Sequence, residues 1–236
     1  MRRFPLRGAI MRRLVLLVVL LGWAVCAAAS PVEFEFVAWN NGQWQNGYPY
    51  VIQPLGGSGS TPLFVMCDDY IHGGMPGDMW SANISQLGSG NISLTRFNKM
   101  PSGPTSLAPL TRYDEAGWIL LQTLHEPGSM FQAMNYAVWN LFDPSAPCDN
   151  GCAMWLMNAE EAAQMHFPDT DFDRVYVITP VDQYDPNPNG PQEFLAIGTD
   201  SGLIIHPPGA PTPEPGTLLL LGSGLAAIIG RRKFLS

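Results

Sequence analysis

The chain has 236 residues, and its 12 basic and 20 acidic side chains give a formal net charge of −8. The charge is concentrated in residues 31–212, which hold four basic and 19 acidic residues, a balance near −15. A segment of that charge repels phosphate backbones, so the composition argues against nucleic acid as a partner.

Residues 1–30 have the pattern of a secretory signal peptide. Five arginines precede an apolar run over residues 14–25, and small residues follow at positions 27–30. This order is typical of a segment that is removed after export, so we expect passage through the inner membrane. Both Met1 and Met11 stay open as the start, because the stretch from Met11 onwards is itself a complete signal peptide.

The strand pattern begins directly after the signal peptide, in a predicted exported domain over residues 31–206. Within residues 32–39, one set of side chains (Phe34, Phe36, Ala38) alternates with another (Glu33, Glu35, Val37), and this period of two indicates a half-buried strand. Further strands are predicted at residues 50–52, 63–67, 92–97, 175–179 and 193–197.

Three helices are predicted in the second half of this domain. The first covers residues 113–124. The second begins at a capping box, with Ser129 as N-cap and Gln132 three residues later, and ends near Phe142 before an Asp-Pro pair. The third covers residues 153–166. Clustered helices among separate strands predict a single α+β domain.

Three cysteines lie in the exported part, where disulfides are permitted. Cys148 and Cys152 flank an Asn-Gly pair that can turn tightly, so we predict a local disulfide, with free thiols or a metal site as the alternatives. This pairing leaves Cys67 without a disulfide partner.

Known catalytic signatures are missing from the sequence. It has no nucleophile elbow, no phosphate-binding loop and no pair of histidines at zinc-ligand spacing. Asp68 and Asp69 directly follow the strand predicted at 63–67, and adjacent residues in extended chain point to opposite faces, so we interpret them as a solvated carboxylate pair rather than a cation site. We therefore expect no metal, no cofactor and no enzymatic activity.

The end of the chain combines three elements in a specific order. A Pro-rich spacer at residues 207–212 leads to a segment over 213–236, which holds a Pro-Glu-Pro triplet, an apolar stretch over 217–230 and a basic group. Its marker residues are Pro213, Glu214, Pro215, Arg231 and Arg232. This order resembles the PEP-CTERM sorting signal.

The resemblance implies processing by an exosortase, a membrane protease-transpeptidase, followed by transfer to the envelope surface or to extracellular polysaccharide. The apolar stretch of 14 residues is shorter than the roughly 20 residues that span a bilayer core. Arg231 and Arg232 can hold it at the cytoplasmic headgroups, so the protein is membrane-anchored before processing. A plain membrane anchor with a Pro-rich stalk is the alternative.

Three separated segments of the domain carry a further motif. Cys67 ends a predicted strand, Asn135, Ala137 and Trp139 lie on the second helix, and Gln192 opens the last strand. In this order they resemble the bacterial thioester domains of surface adhesins, with an asparagine at position 135 where that family has glutamine.

The resemblance implies that the Cys67 thiol and the Gln192 carboxamide condense into an internal thioester, which an amine on a surface ligand then attacks. Asn135, Ala137 and Trp139 would belong to the thioester pocket. Two alternatives remain. Cys67 is a buried small residue and Gln192 an ordinary side chain in a structural matrix protein, or Cys67 is the nucleophile of a secreted hydrolase with His72 or another histidine as base.

Overall fold

The computed structural model describes residues 31–39, 49–55, 61–99, 107–182 and 190–198. The predicted signal peptide, Pro-rich spacer and sorting segment lie outside these residues. None of the helices in the described ranges has the length and apolarity needed to cross a membrane.

Six strands in the described ranges form a closed antiparallel barrel in the order β1-β2-β3-β6-β5-β4. The strands are β1 (Val32–Ala38), β2 (Tyr50–Pro54), β3 (Leu63–Cys67), β4 (Met79–Gln86), β5 (Val175–Pro180) and β6 (Phe194–Ile197). Pairing of β1 with β4 closes the barrel, which leaves neither strand with an open edge. The mixed α+β class predicted from the sequence is confirmed.

Three helices lie between β4 and β5 in the chain. They are α1 (Pro109–Gln122), α2 (Phe131–Phe142) and α3 (Asn150–Gln164). Their apolar faces form one core cluster together with Met66 of β3, Val177 of β5 and Leu195 of β6. The helices therefore cover the outer surface of three neighbouring strands.

A second core cluster fills the barrel. It takes alternate residues from all six strands: Val32, Phe34, Phe36, Tyr50, Ile52, Val65, Cys67, Ala82, Ile178, Phe194 and Ala196. β1 alternates because only one of its faces is buried, whereas β3 and β6 are buried on both faces and lose the period of two.

The strand prediction for residues 92–97 is wrong. The structure has a turn there, followed by a short 3₁₀ segment, Arg96–Lys99, which the buried side chain of Arg96 and the backbone N–H of Phe97 tie to the rest of the domain. The sequence also missed β4, which is the longest strand among the described residues. Its polar residues hide the pattern, because most of β4 is only partly buried and pairing with β1 and β5 holds it in place.

All three helix starts differ from the predictions, and α3 begins at Asn150, three residues earlier than expected, because Asp149 is its N-cap. Ser129 is not the N-cap of α2, because Gly128–Met130 forms a 3₁₀ turn that leads directly into the helix. α1 begins at Pro109, four residues earlier than predicted, since proline at the first helical position lacks only an N–H that would have no partner in the helix.

Candidate functional site

Cys67 lies at the end of β3 and its side chain points into the barrel. It is fully buried and stands opposite Phe194 of β6 in the strand register. Its Sγ atom donates to the backbone oxygen of Asp69 at 3.2 Å, and the Asp69 N–H donates to the sulfur at 3.3 Å. The thiol is therefore held by the backbone of the turn that follows its own strand.

Gln192 lies two residues before Phe194, just ahead of the start of β6. Its Nε2 atom donates to the backbone oxygen of Asp69 at 3.2 Å and also to that of His72. Two carbonyl acceptors define which end of the amide is nitrogen. The Cys67 thiol and the Gln192 carboxamide thus share one acceptor, so Sγ and Nε2 lie no further apart than twice that 3.2 Å.

Two of the three predicted pocket residues on α2 reach this site. Asn135 is buried and its Nδ2 atom donates to the backbone oxygen of Cys67 at 3.2 Å. The indole of Trp139 lies close enough to the sulfur to influence its pKa, although its N–H makes no hydrogen bond of standard geometry. Ala137 instead packs into the core cluster between the helices and the outer barrel surface.

The surroundings of Cys67 keep its thiol protonated. Burial raises its pKa well above the ordinary value, and the carboxyl groups of Asp69 and Asp68 raise it further. Trp139 and the Asp69 backbone lower the pKa by smaller amounts. A hydrolase nucleophile requires the thiolate, so these surroundings argue against that role for Cys67.

Asp68 and Asp69 are both buried, so the prediction of a solvated pair is wrong. Asp69 forms an ion pair with Arg96 and lies 2.9 Å from Nδ1 of His72. Arg96 also donates from Nη2 to the backbone oxygen of Pro191 at 3.0 Å. Arg96 therefore ties the turn after β3 to the segment before β6, which are the two segments that carry the thiol and the carboxamide.

A second buried carboxyl group, Glu193, faces the helices. It accepts hydrogen bonds from the Tyr113 hydroxyl at 2.6 Å, from the Arg96 N–H at 2.7 Å and from the Thr179 hydroxyl. Burial raises its pKa, while these donors act in the opposite direction.

Asp68 lies beside Glu193 without these donors. Burial, and then the neighbouring Glu193 carboxyl, raise the pKa of Asp68 well above its ordinary value. Neither Asp68 oxygen makes a hydrogen bond of standard geometry, so burial and the nearby carboxyl group account for the raised pKa of Asp68. We assign the proton of the pair to Asp68 and the charge to Glu193, because only Glu193 has several donors to stabilise it.

A pocket of about 330 Å³ opens beside Gln192. Its lining among the described residues is mostly aromatic: Trp39, Tyr50, Tyr70, His72, Gly73, Gly74, Tyr136, Trp139, Pro147 and Gln192. Trp118 lies elsewhere, against Trp155 between the helices. Trp139 does line the pocket.

The predicted disulfide between Cys148 and Cys152 is present. The expected Asn-Gly turn does not close this bridge, because Asn150 and Gly151 form the first turn of α3. Asp149 is the N-cap of that helix and accepts from the Cys152 N–H at 2.9 Å. The bridge therefore anchors the start of α3, next to the pocket wall formed by Pro147.

Sequence reasoning missed the buried residues that support the site, namely Arg96, Glu193 and Tyr113. Arg96 was one of only four basic residues in an acidic segment, and this rarity was the signal that could have identified it as a buried partner. No group of three or more histidine, cysteine, aspartate or glutamate side chains in the described ranges is arranged to hold a metal ion.

A comparison with family models finds the PEP-CTERM protein-sorting motif at residues 211–233. The match includes the Pro213, Glu214, Pro215 triplet and both Arg231 and Arg232. No curated protein and no solved structure matches the chain, so the comparisons give no support to a resemblance to thioester domains. The motif implies that the chain is exported, sorted at a membrane and processed by an exosortase-type enzyme.

Proposed function

We propose that this chain is a non-enzymatic protein of the cell surface or extracellular matrix that attaches covalently to an amine-bearing ligand through a thioester between Cys67 and Gln192. The observation that carries the proposal is the convergence of the two groups on the backbone oxygen of Asp69. The two residues are far apart in the sequence, so their proximity is a consequence of the fold.

The bond-forming step is a condensation. The sulfur of Cys67 attacks the carboxamide carbon of Gln192, the carbon–nitrogen bond breaks, and the thiol proton leaves with the nitrogen as ammonia. The product is an acyl–sulfur bond between β3 and the segment before β6. No oxidant or reductant takes part, because no atom changes its oxidation state.

Confinement makes this step plausible for a protonated thiol. Two groups fixed side by side react with an effective concentration far above that of free solutes. Asn135 holds the backbone oxygen of Cys67, and Arg96 holds both Asp69 and Pro191, so the reacting groups are positioned from both strands. Burial of Cys67 also keeps water away from the sulfur side of the bond.

The pocket supplies the route for the second step. Gln192 is 8% exposed and belongs to the pocket lining, so its acyl carbon can be reached from that side while the sulfur stays buried. A primary amine would attack this carbon, form an amide with Gln192 and release the Cys67 thiol. Attachment would be irreversible under physiological conditions, since an amide is far more resistant to attack than a thioester.

Mass spectrometry of the exported full chain tests the proposal. We expect the chain to be lighter by one ammonia than its processed sequence, after allowance for the two hydrogens lost in the Cys148–Cys152 bridge. Methylamine should then produce a methylamide at Gln192 and, at the same time, a thiol at Cys67 that alkylating reagents label under denaturing conditions.

The variants separate this bond from other causes of a mass change. Cys67→Ala and Gln192→Glu should each abolish the methylamine adduct, whereas Gln164→Glu, at an exposed position on α3, should retain it. A full sequence mass together with no adduct in the folded wild-type chain would contradict the thioester and leave a structural matrix protein as the function.

A further inference from the structure

We propose that the aromatic pocket beside Gln192 binds a neutral pyranose ring of a polysaccharide without forming a covalent bond. The site is built from Trp39, Tyr70, Tyr136, Trp139 and the polar groups between them. This inference goes beyond the proposed function, because the pocket exists whether or not Cys67 and Gln192 react.

The aromatic rings of the pocket form a partly exposed, flat surface. Tyr136 and Trp139 stack at 5.5 Å with an interplanar angle of 26°, and Tyr70 is tilted against Trp139 at 5.2 Å and 51°. Tyr70 is 41% exposed, so part of this surface is open to solvent. A pyranose ring has one face of C–H groups, which packs on flat aromatic surfaces of this kind.

The pocket lining, among the described residues, has no side chain that is permanently charged. None of the ten described lining residues is an aspartate, glutamate, lysine or arginine. The carboxylate of Asp69 lies beneath the pocket but is 1% exposed and paired with Arg96. The imidazole in the lining, His72, has its Nδ1 atom 2.9 Å from the Asp69 carboxylate. The described lining thus offers an anionic ligand no lysine or arginine and offers an ammonium no exposed carboxylate, which favours a neutral ligand.

The pocket also presents hydrogen-bonding groups between its aromatic rings. The hydroxyls of Tyr70 and Tyr136 and the carboxamide of Gln192 provide donors and acceptors for sugar hydroxyls. Tyr136 is itself oriented by Gln132, whose Nε2 donates to the Tyr136 hydroxyl at 2.8 Å. Apolar walls with a few fixed polar groups are typical of small-molecule sites, and about 330 Å³ is at the lower end of their size range.

Saturation-transfer NMR on the full chain tests this inference. The protein is kept in a polyoxyethylene detergent, which carries neither sugar nor ammonium. The probes are three neutral trisaccharides (cellotriose, maltotriose and chitotriose), together with choline and its uncharged isostere 3,3-dimethyl-1-butanol. We expect saturable binding of at least one trisaccharide with a Kd of about 1 mM or tighter, and no saturable binding of choline or of the isostere.

Matched variants localise the binding. Tyr70→Leu should weaken it by roughly tenfold, because it removes the ring. Tyr70→Phe should retain most of the affinity, and Phe64→Leu, which removes an exposed aromatic ring outside the pocket, should change nothing. Cys67→Ala should still bind the sugar while it loses the methylamine adduct, so failure of the thioester and failure of sugar binding give different results.

Two outcomes would overturn the inference. One is the absence of saturable binding for all three trisaccharides. The other is saturable binding of choline without binding of any sugar, which would assign the pocket to an ammonium recognised by cation–π contacts.

Discussion

Arg96 is the side chain on which the geometry of the candidate site depends most. It pairs with Asp69, lies 2.6 Å from Nδ1 of His72 and donates to the backbone oxygen of Pro191. Its own N–H donates to Glu193. One buried cation thus connects both segments that carry the reacting groups.

We expect Arg96→Met to lower the free energy of unfolding by about 3–5 kcal/mol, because it leaves the Asp69 carboxylate buried without its partner. Urea denaturation followed by circular dichroism measures the change. Lys99→Met, on the same 3₁₀ segment but exposed, should cost less than about 1 kcal/mol. If both substitutions lowered the free energy of unfolding equally, the buried ion pair would contribute no more to stability than an exposed lysine.

At the scale of elements, two short 3₁₀ segments hold the ends of neighbouring strands together. Leu87–Ser89 follows β4 and Phe172–Arg174 precedes β5. Gln86 donates from Nε2 to the backbone oxygen of Asp173 at 2.7 Å. The two backbones approach closely at Gly88, where a Cβ atom would lie 2.8 Å from the backbone nitrogen of Asp173 and 3.0 Å from its Cα.

Gly88→Ala is therefore expected to destabilise the domain by about 1–3 kcal/mol, because backbone rather than a movable side chain must give way. The same denaturation measurement applies. Ser93→Ala, at an exposed position in the following turn, should stay within about 0.5 kcal/mol of the wild type. If Gly88→Ala were neutral, the close approach of the two segments would be wrong.

For the whole molecule, buried and partly buried carboxyl groups determine how stability depends on pH. Burial raises the pKa of Glu115 from 4.5 to about 7, with smaller contributions from Glu160 and Asp114, and raises the pKa of Asp114 to about 6. The pKa values of Asp68 and Glu193 are raised as well. Glu115, Asp114 and Asp68 hold a proton in the folded chain at pH values where the unfolded chain has already released it, whereas the donors around Glu193 keep that carboxylate charged.

A raised pKa contributes stability that is fully present below the unfolded value and is lost as the pH rises through the folded value. For Glu115 this window runs from about 4.5 to about 7. We expect Glu115→Gln to raise the unfolding midpoint at pH 8 and to leave it unchanged at pH 4. Glu161→Gln, at an exposed position on α3, is the control and should shift neither midpoint. A Glu115→Gln chain with the same pH profile as the wild type would contradict the burial argument.

The sorting segment also acts at the scale of the whole chain. Deletion of residues 213–215 removes the Pro-Glu-Pro triplet within the matched motif but leaves the apolar stretch and the basic end. In a host with an exosortase, we expect the deleted chain to accumulate in the inner membrane, as measured by fractionation and immunoblotting. Wild-type localisation of the deleted chain would show that the triplet is not needed for processing.

Much of the architecture could be predicted from local pattern. β1, β3 and β5 were placed within one residue of their ends, because apolar periodicity and β-branched residues mark strands wherever a barrel core takes their side chains. The disulfide was predicted from the Asn-Gly pair between Cys148 and Cys152, although that pair forms the first turn of α3. β4 was missed because its stability comes from pairing with two neighbours rather than from its own composition.

The sequence alone determined the sorting motif, since that signal is a linear order of residue types. It also identified Cys67, Asn135, Trp139 and Gln192 as candidate site residues. Only the tertiary structure brought the thiol and the carboxamide onto one carbonyl oxygen, because antiparallel pairing of β3 with β6 joins positions more than 120 residues apart. It also showed that Asp69 is buried rather than solvated, because the fold places its carboxylate against Arg96, which lies 27 residues further along the chain.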